Sequence, residues 1–122
     1  MTARVLVVED DPKIAAMLAK GLRAKGLEVE TVSTGSEAIA RIDDGGIDVQ
    51  LLDLGLPDID GLEVLRKLRD QGEQVPVIVI TARSDPGDRD AALALGVVEY
   101  LTKPFAWAQL WAAIEECVAE PR

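Results

Sequence analysis

Carboxylates follow two of the apolar runs in this chain. Glu9, Asp10 and Asp11 come directly after the first run, and Asp53 comes directly after the third. If these runs are neighbouring parallel strands, their carboxyl ends meet at one edge of a sheet, and the carboxylates meet there too. Crowded carboxylates repel one another unless a cation lies between them, and Mg²⁺ prefers oxygen ligands and accepts phosphate oxygens. The pattern predicts a Mg²⁺ site, which Mn²⁺ could also occupy, held by two or three of these acids.

Each acid also has an ordinary structural interpretation. Asp11 precedes Pro12, and an aspartate at such a position commonly caps a helix, so we predict a cap there. That interpretation is weaker for Asp10 and Asp53. Asp53 leaves a buried apolar run at the crevice where such a fold binds its ligands, and a carboxylate there can attack phosphorus and form an acyl phosphate.

Two further apolar runs end in residues that could balance the charge of a phosphoryl group. Thr81 closes the fourth run, and Lys103 follows the fifth, immediately before Pro104. The lysine could pair with one phosphoryl oxygen, while the Thr81 hydroxyl and the Ala82 amide could donate hydrogen bonds to another. Alone, each would be taken for a solvated lysine or a strand-end residue. Together they predict phosphoryl transfer to Asp53.

Strand and helix patterns alternate along the whole chain and must position these groups. The predicted strands are Arg4–Val8, Glu28–Val32, Asp48–Leu52, Val75–Ile80 and Val98–Leu101. The predicted helices begin with a face of Ile14, Met17, Leu18 and Leu22, and continue as Ser36–Asp43, Leu62–Asp70, Asp88–Leu95 and Trp107–Val118. The alternation predicts one α/β domain over residues 1–122. Its expected architecture is a flavodoxin-like, doubly wound parallel sheet of five strands in the order 2-1-3-4-5, with five helices.

Composition argues against several functions. A net charge of −9 opposes direct nucleic-acid binding by this domain, because such binding depends on lysine and arginine neutralising phosphates. The chain has no histidine, which excludes histidine catalysis and histidine metal ligation. With Cys117 as the single cysteine and no long apolar run, we expect a cytoplasmic protein without a membrane segment.

Four stretches, in order and at matching spacing, resemble the response-regulator receiver family: VLVVEDDP, LLDLGLPDIDGLEVLRKLR, VIVITAR and YLTKPF. The resemblance covers essentially the whole chain. It implies a phosphorylation switch of a two-component system, in which a sensor histidine kinase donates a phosphoryl group to Asp53. It also implies a Mg²⁺ site formed by Glu9, Asp10 and Asp53 with the Gly55 carbonyl. Pro57, Gly61 and a cis peptide bond between Lys103 and Pro104 complete the resemblance.

The resemblance assigns a switching role to Thr81 and Tyr100. Thr81 resembles the switch hydroxyl, and the ring of Tyr100 is expected to turn inward when Thr81 moves toward a phosphoryl group, which changes the surface of the fourth helix, fifth strand and fifth helix. From the residues alone, Tyr100 would be a partly buried strand aromatic. Gly55 and Arg83, each two residues after a site residue, are expected to shape the access of water to the phosphoryl group.

These sequence motifs most resemble those of receivers that precede winged-helix DNA-binding domains. The resemblance implies control of transcription through an effector domain outside this chain. Four positions depart from that subclass. Val98 and Glu99 stand where it usually has two acids, and Gln109 and Ala113 replace a glutamate and an arginine. The ion pairs that join such receivers as dimers are therefore depleted.

The last predicted helix carries both tryptophans. Trp107 lies near the centre of its apolar stripe and is expected to pack in the core. Trp111 lies at the edge of the stripe, where it is a candidate contact for a homodimer formed through the fourth helix, fifth strand and fifth helix. Pro121 and Arg122 could open a linker in a longer protein, of which this receiver would be the amino-terminal part.

Three other functions compete with the phosphorylation switch. A metal-dependent aspartyl phosphatase needs a second aspartate two residues after its nucleophile, where this chain has Gly55, so we predict self-catalysed transfer and autodephosphorylation but no turnover of an external substrate. A flavodoxin-like cofactor binder needs a Gly/Ser/Thr-rich first loop, which is acidic here. A phosphorylation-independent binding module is disfavoured by the intact set Asp10, Asp53, Thr81 and Lys103.

Overall fold

A computed structural model describes residues 2–118, so Pro121 and Arg122, the predicted start of a linker, lie outside the described residues. Within them, five strands alternate with five helices. The strands are β1 (Arg4–Val8), β2 (Glu28–Val32), β3 (Val49–Leu52), β4 (Val77–Thr81) and β5 (Glu99–Thr102). The helices are α1 (Pro12–Ala24), α2 (Gly35–Asp43), α3 (Gly61–Asp70), α4 (Pro86–Ala94) and α5 (Trp107–Val118).

The strands form one parallel sheet in the order β2-β1-β3-β4-β5, so the predicted topology is confirmed. β3 and β5 each begin one residue later than predicted, and β4 begins two residues later and extends to Thr81. The later start of β4 follows from Pro76, which has no N–H to donate to a ladder. The Pro76 carbonyl nevertheless accepts the N–H of Gln50 at 2.9 Å, which places β4 in register with β3.

Two helices begin at a proline that follows a capping aspartate. At α1 the Asp11 carboxylate accepts the N–H of Lys13 at 2.9 Å, so the predicted cap is confirmed. At α4 the Asp85 carboxylate accepts the N–H of Gly87 at 2.7 Å. This cap moves the start of α4 to Pro86, two residues before the predicted start, while α2 and α3 begin one residue earlier than predicted.

Alternate residues of each central strand face opposite sides of the sheet, and both sides are covered by helices. Helices α1 and α5 bury one face, and α2, α3 and α4 bury the other. On the α1/α5 face the buried helix residues are Leu18, Ala19, Leu22, Leu110, Ala113 and Ile114. On the opposite face they are Ala38, Ile42, Leu62, Val64, Leu65, Leu68 and Ala92. This two-sided burial explains why the central strands are almost continuously apolar.

The two tryptophans hold α5 against α1. Trp107 packs against the core cluster, but it remains half-buried because it also lines a surface groove. Its ring lies where a Cβ atom on Gly21 would be 2.5 Å from the nearest ring atom, so α1 has room for the indole only because residue 21 is a glycine. Trp111 is half-buried beneath Lys25, whose Nζ is 5.0 Å from the ring centroid.

Strand β2 forms one open edge of the sheet and carries two charged side chains, Glu28 and Glu30. Glu28 pairs with Arg4 at 2.7 Å, and Glu30 pairs with Arg41 at 2.6 Å. Among residues 2–118, no helix combines the length and the apolar character that crossing a membrane requires.

Candidate functional site

The carboxyl ends of β1 and β3 bring three carboxylates together. The N–H of Asp53 donates to the Val8 carbonyl at 3.0 Å, which extends the ladder between these neighbouring strands to the first residue beyond β3. Glu9 and Asp53 are buried, whereas Asp10 is exposed. One carboxylate oxygen from each of the three lies within 4.8 Å of the others. The expected acidic cluster therefore exists, and Asp11 turns away from it to cap α1.

Lys103 enters this cluster from the end of β5. Its ammonium group donates to Glu9 Oε1 at 2.8 Å and to Asp53 Oδ2 at 3.1 Å. Its backbone N–H donates to the Thr81 carbonyl at 2.8 Å, and the peptide bond to Pro104 is cis. Although burial would lower the pKa of Lys103, the hydrogen bonds to the two carboxylates raise it, so the side chain stays cationic.

Glu9 and Asp53 share the lysine, but their pKa values shift in opposite directions. Burial raises the pKa of Glu9, and the hydrogen bond from Lys103 only partly opposes it. Burial would raise the pKa of Asp53 too, but hydrogen bonds from the Gly55 amide and Lys103 outweigh it and lower that pKa. The Gly55 N–H lies 3.1 Å from Asp53 Oδ1. Asp53 is consequently held as a carboxylate, the form that a nucleophile needs.

Thr81 and Ala82 lie at the end of β4, next to Asp53. Thr81 is buried, and its hydroxyl helps to lower the pKa of Asp53. The hydroxyl oxygen also accepts the backbone N–H of Arg83 at 3.3 Å. Ala82 is exposed at the turn that follows the strand.

Tyr100 lies inward in this structure. Its side chain is buried, its hydroxyl donates to the Arg83 carbonyl at 2.9 Å, and burial raises the pKa of its phenol. The inward ring therefore contacts the turn that follows Thr81, the residue to which the sequence resemblance couples it.

The segment 54–60, which joins Asp53 to α3, is held closely against its surroundings. Gly61 must be a glycine, because a Cβ atom there would lie 2.4 Å from Leu54 Cα and 2.7 Å from the Asp53 carbonyl oxygen. Gly55 is open by comparison: a Cβ atom there would lie 3.9 Å from Asp53 Oδ1. Pro57 is exposed in the middle of the segment.

Sequence reasoning missed two contacts of this segment. The Asp58 carboxylate accepts the N–H of Gly35 at 2.8 Å at the start of α2, and Asp60 pairs with Arg83 at 2.7 Å. The hydrogen bond from Arg83 lowers the pKa of Asp60. Asp60 could have been recognised as the cap of α3, since it precedes Gly61 and an amphipathic run. Its partner is 23 residues away in sequence, and no local pattern indicates that pairing.

The donor set of the cluster fits a hard divalent cation. All the ligand atoms it offers are oxygens, as Mg²⁺ prefers. One ammonium group faces three carboxylates, so two negative charges are left for a cation to balance. Gly55, the fourth predicted ligand, lies beside Asp53 and can offer only its backbone carbonyl.

The parallel sheet and the carboxylate cluster at its carboxyl edge define a known class of signalling domain. A model of the response regulator receiver domain matches residues 5–115, and the chain belongs to this family. It is the receiver domain of a two-component response regulator.

Individual relatives agree with this assignment. The transcriptional regulatory protein TcrA of Mycobacterium tuberculosis is 47% identical over 111 residues, which cover 91% of this chain and 44% of TcrA. The receiver domain of the Francisella response regulator 1452 is similar in structure, with a TM-score of 0.89 and 31% identity over 95% of this chain and 96% of that one. The response regulator TrrA of Thermotoga maritima, solved in complex with Mg²⁺ and BeF, has a TM-score of 0.86 and 31% identity over 96% of this chain and 100% of TrrA. The chain thus spans less than half the length of its curated relative TcrA.

Proposed function

We propose that this receiver domain accepts a phosphoryl group on Asp53 from a sensor histidine kinase and returns it to water by self-catalysed hydrolysis. One observation carries the proposal: Lys103 contacts Asp53 and Glu9 together, within a cluster of three carboxylates at the carboxyl edge of the sheet. The lowered pKa of Asp53 keeps this residue ionised, as attack on phosphorus requires.

The side chains around Asp53 have separate tasks in the transfer. A bond forms between a carboxylate oxygen of Asp53 and phosphorus, while the bond from phosphorus to the donor nitrogen breaks and its electrons leave with the donor. Lys103, 3.1 Å from the carboxylate, pairs with a phosphoryl oxygen, and the Thr81 hydroxyl and Ala82 amide donate to another. In the second half of the cycle water attacks phosphorus, the bond between phosphorus and the Asp53 oxygen breaks, and inorganic phosphate leaves the freed carboxylate.

Glu9, Asp10, Asp53 and the Gly55 carbonyl would hold Mg²⁺, for which Mn²⁺ can substitute. When bound, the ion neutralises phosphoryl oxygen charge. Without it, three carboxylates would repel an incoming phosphoryl group with only one lysine to compensate.

The donor reaches Asp53 beside an apolar groove. Ile14 and Met17 of α1, with Phe105 and Trp107, line a space of about 490 Å³ that adjoins Lys103, and Met17 is 51% exposed. Exposed apolar side chains next to a reactive group suit a protein partner. We propose that the kinase contacts this groove during transfer.

The output surface is the face formed by α4, β5 and α5. Thr81 and Tyr100 both contact Arg83 in the turn before α4, so a movement of Thr81 toward a phosphoryl group alters that turn. We propose that the altered face controls transcription through an effector domain, as the name of TcrA suggests, in the cytoplasm. Direct nucleic-acid binding by this acidic domain is not part of the proposal.

We also propose that two copies of the domain associate through the same face. Leu93 and Val98 are exposed there, whereas Trp111, the predicted contact, is half-buried beneath Lys25 at the end of α1. Of the two α5 positions that depart from the subclass, Gln109 is exposed but Ala113 is buried, so only Gln109 could contact a second copy directly.

Intact-mass spectrometry after incubation with acetyl phosphate tests the phosphoacceptor. We expect one phosphoryl adduct that requires Mg²⁺, disappears in Asp53→Asn and persists in the control Asp70→Asn, which changes an exposed acid at the end of α3. If the wild-type protein with Mg²⁺ gains no adduct, the domain is a phosphorylation-independent binding module instead.

A further inference from the structure

Arg83 links the turn after β4 to the segment that follows Asp53. Its Nη2 atom donates to Asp60 Oδ2 at 2.7 Å and to the Leu54 carbonyl at 3.3 Å. Both acceptors belong to segment 54–60, which also carries Gly55, the residue whose amide contacts Asp53. One side chain from the turn after β4 therefore holds both ends of this segment.

The opposite side of the segment is fixed independently. Asp58 accepts hydrogen bonds from the N–H of Gly35 and from the N–H and hydroxyl of Ser36, at 2.8, 3.0 and 2.8 Å. The contact of Gly61 with Leu54 fixes the segment's entry into α3. Of these restraints, only the Arg83 contacts come from the turn that directly follows the switch hydroxyl of Thr81.

We propose that Arg83 is a positioning residue: its pairing with Asp60 and Leu54 holds segment 54–60 so that Gly55 and Asp53 present their oxygen atoms to a divalent cation. The inference rests on the proposed function, because it concerns the metal that this function needs. Arg83 contacts neither the cation nor the phosphoryl group in this account; it acts through the segment.

The backbone of Arg83 extends the same link to the switch. Its N–H donates to the Thr81 hydroxyl, and its carbonyl accepts from Tyr100. When Thr81 turns its hydroxyl to a phosphoryl group, Arg83 moves too, and its hydrogen bonds to segment 54–60 change with it. Coupling of this kind is reciprocal, so the position of segment 54–60 must in turn bias Thr81.

Calorimetric titration with Mg²⁺ tests the inference on Arg83→Gln, Asp60→Asn and the double variant. Asparagine remains a good helix cap, so Asp60→Asn removes the charge while keeping the hydrogen bond to Leu62. We expect each single variant to bind Mg²⁺ about fivefold more weakly, at the low end of typical couplings because the pair is partly exposed. The double variant should be no weaker than Arg83→Gln, which already loses the contacts with both Asp60 and Leu54, and Arg83→Lys should recover part of the loss.

Two further readouts separate positioning from a general loss of structure. The melting temperature in EDTA should be unchanged in Arg83→Gln, and its rate of phosphorylation by acetyl phosphate should return to the wild-type rate at saturating Mg²⁺. Arg41→Gln is the matched control, since Arg41 forms a similarly short ion pair with Glu30 away from the site, and its Mg²⁺ affinity should equal that of the wild type.

The possible failures are distinguishable. Wild-type affinity in Arg83→Gln, or additive losses in the double variant, would overturn the positioning role while leaving the phosphoacceptor intact. A wild-type protein that neither binds Mg²⁺ nor gains a phosphoryl group would overturn the proposed function and this inference with it.

Discussion

Asp53 and Gln50 are two buried polar residues only three positions apart, yet one has hydrogen-bond partners and the other has none in the part of the chain that the structure describes. Asp53 is 8% exposed, and its carboxylate accepts hydrogen bonds from Lys103 and Gly55. Gln50 is completely buried within β3, and among the described residues neither its amide oxygen nor its amide nitrogen has a hydrogen-bond partner. One buried polar group is thus well satisfied just beyond the end of β3, and another is orphaned within the strand.

The difference follows from the positions of the two residues along the strand. Gln50 pairs in register with Leu6 on β1 and Val77 on β4, so its neighbours are apolar strand residues. Asp53 lies beyond the last strand residue, where loops and the ends of other strands bring a lysine and a backbone amide within reach. Buried polar side chains find hydrogen-bond partners at the carboxyl ends of the strands, because the loops and neighbouring strand ends converge there. In the centre of the sheet an unpaired polar side chain lowers stability.

The largest effect should come from removing the ammonium group of Lys103, which pairs with Asp53. In Lys103→Met, we expect phosphorylation by acetyl phosphate at saturating Mg²⁺ to slow about 100-fold, because a positioned charge on the phosphoryl group is lost. Initial rates from intact mass measure this. Lys67→Met, at an exposed site on α3, should retain the wild-type rate. A Lys103→Met rate within twofold of wild type would remove Lys103 from the transfer.

The next effect tests how closely the backbone near Asp53 is packed. Gly61→Ala should lower the free energy of unfolding by about 2 kcal/mol, because its Cβ would clash with backbone atoms of Leu54 and Asp53 that cannot move aside cheaply. Urea unfolding gives the value. Gly55→Ala is the matched control, with ordinary contact distances, and should change stability by less than about 1 kcal/mol. Equal losses in both variants would contradict the packing argument.

A smaller effect of opposite sign is expected at Gln50. Gln50→Leu should raise the free energy of unfolding by about 1 kcal/mol, because the orphaned amide no longer has to be buried, and phosphorylation should be unchanged. Gln109→Leu, which makes the same change on the exposed surface of α5, should have almost no effect on stability. Destabilisation by Gln50→Leu would mean that the amide has a partner in solution.

The smallest effect concerns an exposed acid in segment 54–60. Hydrogen bonds from Gly35 and Ser36 lower the pKa of Asp58, so the stability it contributes is present above its unfolded pKa of about 4 and is lost as pH falls below that value. Unfolding curves of wild type and Asp58→Asn should therefore differ near pH 6 and converge in acid. Asp90→Asn, an exposed acid on α4, should follow the wild-type curve throughout. A wild-type to Asp58→Asn difference that is constant with pH would rule out this titration.

Element order, sheet topology and the helix cap at Asp11 were predictable because they depend on local patterns: apolar runs, alternation and an aspartate before a proline. The boundaries were less predictable. β4 begins after Pro76 because the ladder needs N–H donors. α4 begins at Pro86 because Asp85 caps it. An aspartate before a proline predicted the cap at Asp11, but the same pattern at Asp85 was not used to predict the start of α4.

The members of the site were predictable from the ends of the strands, since a parallel sheet brings those ends to one edge. The contacts between connecting segments were not. The pairing of Arg83 with Asp60 joins residues far apart in sequence, and it depends on the exact path of two loops. Gln50 is a polar residue within an apolar strand, but only the packing around it shows that its amide has no partner among the described residues.

The charged edge strand β2 also affects how the protein behaves at high concentration. An open strand edge invites the same edge of another molecule to pair with it and begin aggregation. Here the edge carries Glu28 and Glu30, which are held in ion pairs with Arg4 and Arg41, so it presents charged side chains to an approaching copy rather than an apolar surface. Charged side chains of this kind oppose the extension of the sheet by a second copy at β2.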